Sequence, residues 1–290
     1  MQSSIPAFQR TILNWFKKNG RHDLPWRPPA LKARRDDTYD PYRVLVSEVM
    51  LQQTQVDRVK EKYMEFLRHF ATPKKLSEAS PAEVLAVWKG LGYNRRALYL
   101  KRAAEKIVID YKGRFPRDVS EIEKLPGVGH YTARAVAVFA FNQPQAFIET
   151  NIRRVFIHFF FAGKSGIADS QLFPLIEKAF YYENPRLWYS ALMDYGALAL
   201  SGIPNPNRQS RHYTKQSRFE GSRRYARAKI LDFLLKNKAA TEHVMRQYFL
   251  TDPHLELYSS DSEIKSILAD LSKEGFLAKK SRGWSLIVSG

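Results

Sequence analysis

The 290 residues include no cysteine. Disulfides, thiolate nucleophiles, cysteine-ligated zinc and iron–sulfur clusters are thereby excluded. No apolar run is as long as a membrane span, and the opening stretch, MQSSIPAFQRTILNWFKK, lacks an apolar signal core followed by a cleavage site. An intracellular, cytoplasmic protein is expected. Histidine is sparse, and His130 and His212 have no cluster of acids around them, so no metal and no cofactor are expected. Acid is also in short supply. Against 29 Asp and Glu stand 47 Lys and Arg, a formal charge of +18. That surplus implies a strong positive field and phosphate contacts that weaken with salt, which points to double-stranded DNA and a nucleoid association. A merely soluble basic protein is the plainer alternative. What the chain has in quantity is apolar residues, at 44% with 18 Phe and 15 Tyr, enough for one large domain or two of moderate size.

The pattern is mainly helical. Apolar residues at Ile5, Phe8, Ile12, Leu13, Trp15 and Phe16 predict a first helix to Lys18. A Pro-rich, charged connection over Leu24 to Tyr42 cannot hold a long helix. Helices are predicted from Tyr42 to Gln53, from Val56 to His69, and from Pro81, with Gly90-Leu91-Gly92 ending the last. Further helices are predicted over Tyr93 to Tyr111, Val119 to Leu125, Tyr131 to Phe141, Asn151 to Phe161, Ser170 to Tyr182 and Pro185 to Leu200. Composition changes at Gly202. Residues Ile203 to Ser222 are rich in Pro, Asn, Arg and Ser and read as a linker or an ordered basic loop. Helices over Arg223 to Asn237, Thr241 to Phe249 and Asp261 to Glu274 follow, then strand-like pieces Phe276 to Lys280 and Trp284 to Val288. Three helices and a terminal hairpin describe a winged helix, which serves either in DNA grooves or as a protein–protein module. The expected division is therefore 1–202, a connector at 203–222, and a winged helix at 223–290.

Three places carry chemistry. The run Ser47-Glu48-Val49-Met50-Leu51-Gln52-Gln53-Thr54 sets an acid and two amides inside an apolar helix, where a carboxylate is costly to bury without a proton, a partner or a task. In Leu125-Pro126-Gly127-Val128-Gly129, Gly127 and Gly129 let backbone N–H groups approach a phosphate at the start of an Ala-rich helix, although an ordinary interhelical turn reads similarly. Glu149 follows, either as a second active acid or as the cap of the helix starting near Thr150.

These residues resemble the helix–hairpin–helix DNA glycosylase superfamily, in particular its adenine-mismatch (MutY) branch. The matching pieces are Leu24-Pro25-Trp26-Arg27, Pro41-Tyr42-Arg43-Val44, SEVMLQQTQV at 47–56, WKGLGYNRRA at 88–97 and LPGVGHYTARA at 125–135, in family order over roughly the first 200 residues. The resemblance implies two helical lobes with the active site in the cleft between them. It gives Glu48 the part of catalytic acid, for which an apolar pocket and a raised pKa suit it. Glu149 stands where the family nearly always has aspartate facing the developing sugar cation, with Asn151 positioning it. Tyr131 occupies the place of the lysine in bifunctional members, and a phenol cannot form a Schiff base, so base removal without strand cleavage is implied. Tyr93 matches an aromatic wedge in the base stack, and Gln52 and Gln53 match residues that fill the gap and touch the opposite strand. On spacing alone, Tyr93 reads as a packing residue at a helix start.

Two departures stand out. Relatives carry four cysteines for a [4Fe–4S] cluster after the segment matching Asp194-Tyr195-Gly196-Ala197. Here a basic loop with Arg208, Arg211, Lys215 and Arg218 stands instead, either contacting the DNA backbone or serving as a solvated linker. At the C-terminus nothing resembles the family's oxidised-guanine reading domain. The expected function is therefore monomeric, monofunctional excision of a mispaired base in duplex DNA, adenine first. A thymine or uracil mismatch glycosylase, and a glycosylase-derived binding protein without chemistry, are the alternatives.

Overall fold

The computed structural model describes residues 4–27, 38–215 and 217–288. Of the Pro-rich connection expected from Leu24 to Tyr42, positions 28–37 lie outside the described residues. In chain order the helices are α1 (Ile5–Asn19), α2 (Pro41–Leu51), α3 (Val56–His69), α4 (Pro73–Glu78), α5 (Pro81–Trp88), α6 (Arg95–Ile109), α7 (Val119–Glu123), α8 (His130–Phe141), α9 (Thr150–Phe160), α10 (Asp169–Lys178) and α11 (Pro185–Asp194). After them come α12 (Arg223–Asn237), β1 (Ala239–Ala240), α13 (Glu242–Leu250), α14 (Asp261–Lys273), β2 (Leu277–Lys280) and β3 (Gly283–Leu286). The mainly helical class expected from the pattern is the observed one. Among the described residues, no helix is long and apolar enough to cross a membrane.

The chain forms two compact units, each built from two stretches: Met1–Val49 with Phe115–Lys215, and Met50–Arg114 with Gln216–Gly290. In the first unit, α1 buries Phe8, Ile12 and Phe16, a spacing of four that lines one face of the helix. The Phe8 ring lies edge-on to Phe156, Phe159, Phe160 and Trp188, at centroid separations of 5.0–5.7 Å. Leu192, Ala191 and Tyr189 of α11 complete this core.

One buried carboxylate ties the first unit together. Asp194, with a side chain 0% exposed, ends α11 and receives Arg21 through its backbone N–H (2.7 Å) and guanidinium (2.9 and 2.5 Å). Arg27, the arginine of the Leu-Pro-Trp-Arg motif, adds bonds of 2.7 and 3.2 Å and also donates to the Arg21 carbonyl. Burial alone would raise the Asp194 pKa, but these two guanidiniums hold its carboxyl below the usual range. The sequence predicts one helix from Pro185 to Leu200. Instead α11 stops at Asp194, and Tyr195–Ala199 winds as a π-turn. A physical reason lies at Gly196, where a Cβ would sit 2.4 Å from the Asn151 carbonyl oxygen. The wider turn lets two backbones meet, and Arg154 donates to the Gly196 carbonyl at 2.8 Å.

In the second unit the organising group is another arginine. The buried Arg96 side chain donates to the carbonyls of Met50 (3.0 Å), Gln52 (2.5 Å), Leu91 (3.0 Å) and Gly92 (3.1 Å), and to the Thr54 hydroxyl (3.0 Å). It binds the turn after α2 to the loop after α5. Ser80 and Glu83 form a capping box at α5, with Pro81 in its first turn as the sequence predicts. Helix α4 escapes sequence prediction, since Leu76 is its one buried residue.

The C-terminal region packs three helices on a small antiparallel sheet in the order β1-β3-β2. Two strand-like pieces are predicted and observed. The third strand is Ala239–Ala240, which pairs Ala240 with Trp284 and carries no β-branched signal. Two acids of α14 pair with α12, where Arg223 meets Glu263 (3.0 Å) and Asp270 (2.7 Å), and just past α14 Glu274 meets Arg227 (2.5 Å). Within this same unit, Arg102 of α6 donates to the Glu274 carbonyl (2.8 Å), and the N–H of Ala82 donates to Ile287 O (3.2 Å).

Replacing Asp194 by Asn leaves two cations facing a buried neutral amide. A loss of about 3 kcal/mol or more is expected in urea unfolding, because breaking a buried pair strands its charges.

Candidate active site

Helix α2 is apolar on most sides, with Val44, Leu45, Val46 and Met50 buried, and this places Glu48 in a dry environment at 7% exposure. One partner of its carboxyl is the hydroxyl of Tyr131 on α8, which donates to Oε2 at 2.9 Å. The Tyr131 ring is held edge-on by Phe147 (5.4 Å), which stacks on Tyr189 at 3.9 Å. Burial pushes the Glu48 pKa from 4.5 up to about 7. The Tyr131 hydrogen bond opposes the rise, the nearby Glu149 charge adds to it, and Arg27 opposes it more weakly. Burial and these carboxylates also raise the Tyr131 pKa well above the ordinary phenol range, so the phenol keeps its proton.

Glu149 occupies the N-cap of α9. Its Oε1 accepts from the N–H groups of Asn151 (2.7 Å) and Ile152 (2.9 Å), and its Oε2 accepts from the Asn151 amide (3.4 Å). A glutamate is long for this task, since capping residues are usually short. The longer chain folds back on its own helix, so the carboxylate still sits over the first turn. Burial raises its pKa and the two backbone donors restrain the rise, with Arg153 acting in the same sense. The helix-capping alternative is therefore the observed one, and it is compatible with a catalytic role.

The four residues singled out for chemistry, Glu48, Tyr131, Glu149 and Asn151, thus belong to one unit. Tyr131 joins α8 to α2, and Asn151 joins the second carboxylate to its helix. The two carboxyls differ in surroundings: one has a phenol, the other a set of fixed dipoles. Paired acids in unlike surroundings differ in how firmly they hold a proton.

The hairpin is also formed as its sequence implies. Asp118 caps α7 through Ser120 N (2.8 Å) and Glu121 N (3.4 Å). Leu125 and Val128 are buried and anchor the turn, while Gly127 and Gly129 are exposed. Gly127 has φ +76, a left-handed conformation suited to glycine. Gly129 has no such need: its φ is −93, and a Cβ there would meet open space. No side chain caps α8 at Gly129, so the first N–H groups of that helix lack a side-chain cap.

A family model described as "HhH-GPD superfamily base excision DNA repair protein" matches residues 46–177. A protein of Mycolicibacterium smegmatis called adenine DNA glycosylase is 30% identical over 289 residues, covering 94% of this chain and 96% of that one. The chain belongs to the HhH-GPD superfamily of base excision DNA repair proteins. The adenine DNA glycosylase of Mycobacterium tuberculosis is 43% identical over 144 residues, half of this chain and 44% of the relative. A solved thermostable thymine-DNA glycosylase is 30% identical, with a TM-score of 0.58 over 69% of this chain and 90% of its own. The observed architecture is thus the helix–hairpin–helix glycosylase fold.

The other singled-out residues of this HhH-GPD chain are divided between the two units. Gln52, Gln53 and Tyr93 belong to the second unit, where Gln53 (φ +55) and Tyr93 (φ +46) both adopt left-handed backbone. Arg208, Arg211 and Lys215 are exposed on the loop of the first unit, whereas Arg218 lies in the second unit and pairs with Glu220 at 3.6 Å. Sequence reasoning missed Arg96 and Asp194. The signal for Arg96 was its place inside WKGLGYNRRA, and for Asp194 its lone charge at the end of an apolar helix.

The raised Glu48 pKa has a stability consequence. Between 4.5 and about 7 the folded state holds a proton that the unfolded state releases, so stability falls as pH rises through that window. The loss amounts to about 3 kcal/mol above it. Glu48→Gln is expected to be more stable than the parent at pH 8 by up to about 3 kcal/mol, with the gain vanishing toward pH 4.5. Denaturation curves at both pH values measure this directly.

Proposed function

We propose that the chain removes a mispaired adenine from duplex DNA by hydrolysing its N-glycosidic bond, acting as a monomer and leaving an abasic site uncut. DNA N-glycosylase is the enzyme class of its family. The base and the residue roles are the proposal, and the observation that carries it is the unlike pair Glu48 and Glu149.

Glu48, with a pKa near 7, carries a proton at neutral pH in an apolar setting. It donates that proton to a ring nitrogen of the flipped purine, and the C1′–N bond breaks with its electron pair leaving on the base. The sugar becomes cationic. Glu149, held by two backbone N–H groups and Asn151, faces that cation as an anion and lowers its energy. Water then adds to C1′ and gives up a proton. Tyr131 offers no amine for a Schiff base, and its hydrogen bond to Glu48 tunes the acid.

DNA is held by the exposed backbone of Gly127 and Gly129, and at Gly129 open space in place of a Cβ leaves room for a phosphate. Tyr93 serves as the wedge, and Gln52 and Gln53 fill the gap it leaves. The loop with Arg208, Arg211, Lys215 and Arg218 adds backbone contacts in place of a cluster loop. Residues 1–202 carry the chemistry, 203–222 connect, and 223–290 form a winged helix. Adenine is favoured because relatives of that name match most of the chain. The likeness to a thymine-DNA glycosylase keeps thymine opposite guanine as the second reading.

Base release is measured on duplexes holding A opposite 8-oxoguanine, A opposite G, T opposite G or U opposite G, with hot alkali to cut abasic sites. Adenine release, abolished by Glu48→Gln with DNA binding retained, is the expected result. Release of thymine alone moves the assignment to the second reading, and silence on every duplex sinks both. The rate is expected to decline as pH rises through about 7, because the acid loses its proton there. In Tyr131→Phe that alkaline limb moves to higher pH, since the lost hydrogen bond had lowered the Glu48 pKa.

Neutralising Arg208, Arg211, Lys215 and Arg218 together is expected to flatten the salt dependence of DNA binding. The log–log slope falls by ~0.9 for each phosphate contact removed. An unchanged slope and affinity would show the loop to be a solvated linker.

A further inference from the structure

Helix α12 begins with two adjacent arginines, Arg223 and Arg224, after the Ser222 cap. Cations in the first turn of a helix oppose its dipole, so this pair carries an electrostatic cost. Arg223 offsets it by pairing with Glu263 and Asp270 of α14. Arg224 has a different set of partners. Its Nη1 donates to the Tyr93 hydroxyl, and its Nη2 donates to Ser217 through both the carbonyl and the hydroxyl, each at 3.0 Å. Its guanidinium also lies over the Tyr93 ring, 5.2 Å from the centroid.

Tyr93 is a residue whose pose local preference does not supply. It sits at φ +46, directly after Gly92 at φ +69, a conformation costly for an aromatic residue. Two arginines hold it. Arg96 fixes the loop backbone through Leu91 and Gly92 and lies 5.4 Å from the ring centroid. Arg224 holds the tip. The support for Arg224 is itself seated on the same unit, through Arg102 on the Glu274 carbonyl, Ala82 on Ile287, and Lys89 against Asp232 at 3.9 Å.

We propose that Arg224 is the positioning residue for the wedge: the C-terminal region reaches back through this side chain and sets the Tyr93 ring for insertion beside the flipped base. This rests on the reading of Tyr93 as the wedge. The C-terminal region then acts on base extrusion through Tyr93. Ordering a rigid aromatic before it meets DNA removes part of the cost of unstacking.

The test uses the full chain carrying Glu48→Gln, so that the substrate survives, and a duplex with 2-aminopurine beside the mismatched adenine. Rising fluorescence reports unstacking. Arg224→Gln is expected to cut the rise roughly tenfold or more, the scale of losing a charged hydrogen bond, while affinity for undamaged duplex barely changes. Arg224→Lys recovers part of it. Tyr93→Phe combined with Arg224→Gln is expected to be no worse than Arg224→Gln alone, because the hydroxyl contact is already lost with the arginine. Circular dichroism melts confirm that each variant folds. The proposal is overturned when Tyr93→Ala abolishes the signal but Arg224→Gln leaves it intact. If Tyr93→Ala has no effect either, the wedge reading itself has failed, and the positioning role falls with it.

Discussion

A carboxyl group buried in an apolar helix is the constraint around which the first unit is organised. Glu48 can stay in its place as an acid near neutrality because the surroundings withhold the means to ionise it. Burial outweighs the hydrogen bond from Tyr131, which favours the ionised form, the charge of its carboxyl neighbour Glu149 repels a second negative charge, and Arg27 exerts only a weak opposing pull. Arg27 shows how that balance is kept. A guanidinium free to approach Glu48 would lower its pKa and spoil it as a proton donor, but this one is spent on Asp194 through two hydrogen bonds. The buried ion pair is thus more than a fastening between the segment after α1 and the end of α11. It also removes a cation from the acid's reach.

The same segment fixes the second carboxylate. Just past Asp194 the helix widens into a π-turn, and Gly196 brings its backbone against Asn151. Asn151 supplies both a backbone and a side-chain donor to Glu149. From Arg27 to Asp194 to Gly196 to Asn151, each contact is close and polar or backbone-to-backbone, so the two carboxyls are referenced to one frame. That frame explains how a residue as long as glutamate can serve at the N-cap of α9. The extra methylene is absorbed by folding the side chain over the α9 N-terminus, where two fixed N–H groups define the carboxylate position.

Much of this was legible in the sequence because it obeys local rules. Helices such as α1, α3 and α12 follow from apolar spacing, and α5 from its capping box. The carboxyl pair and the hairpin were marked by residue types unusual for their surroundings. What escaped is nonlocal. Nothing in a chain of Ala and Gly around 196 announces a π-turn, since the cause lies 45 residues earlier at Asn151. Helix α4 has too few apolar residues for a period, and β1 owes its existence to the partner strand β3. Arg96 shows the limit most plainly. A buried arginine is expensive unless its donors are satisfied, and the five acceptors of its two terminal nitrogens come from residues 50 to 54 and 91 to 92. Burial, partly offset by Tyr93, brings its pKa down to about 10, which still leaves it charged.

The loop after Gly202 shows how a chain orders backbone without metal ligands. Asn207 is buried and donates to the Thr150 carbonyl at the start of α9 (3.0 Å), beside the buried Pro206. Ile167 and the loop exchange backbone hydrogen bonds at Gln209 (3.0 Å) and Arg211 (2.8 Å), a single parallel bridge. These contacts are individually modest, about 1 kcal/mol each. They nevertheless pin residues 205–211 to the helix whose first turn holds Glu149, and they leave Arg208 and Arg211 exposed at defined places. Anchoring by amide and backbone keeps the first turn of α9 and the basic side chains in one rigid piece. An ordered loop can present cations to a phosphate backbone at lower entropic cost than a mobile one. The loop is thereby fixed beside the first turn of α9, the helix that carries Glu149 at its N-cap.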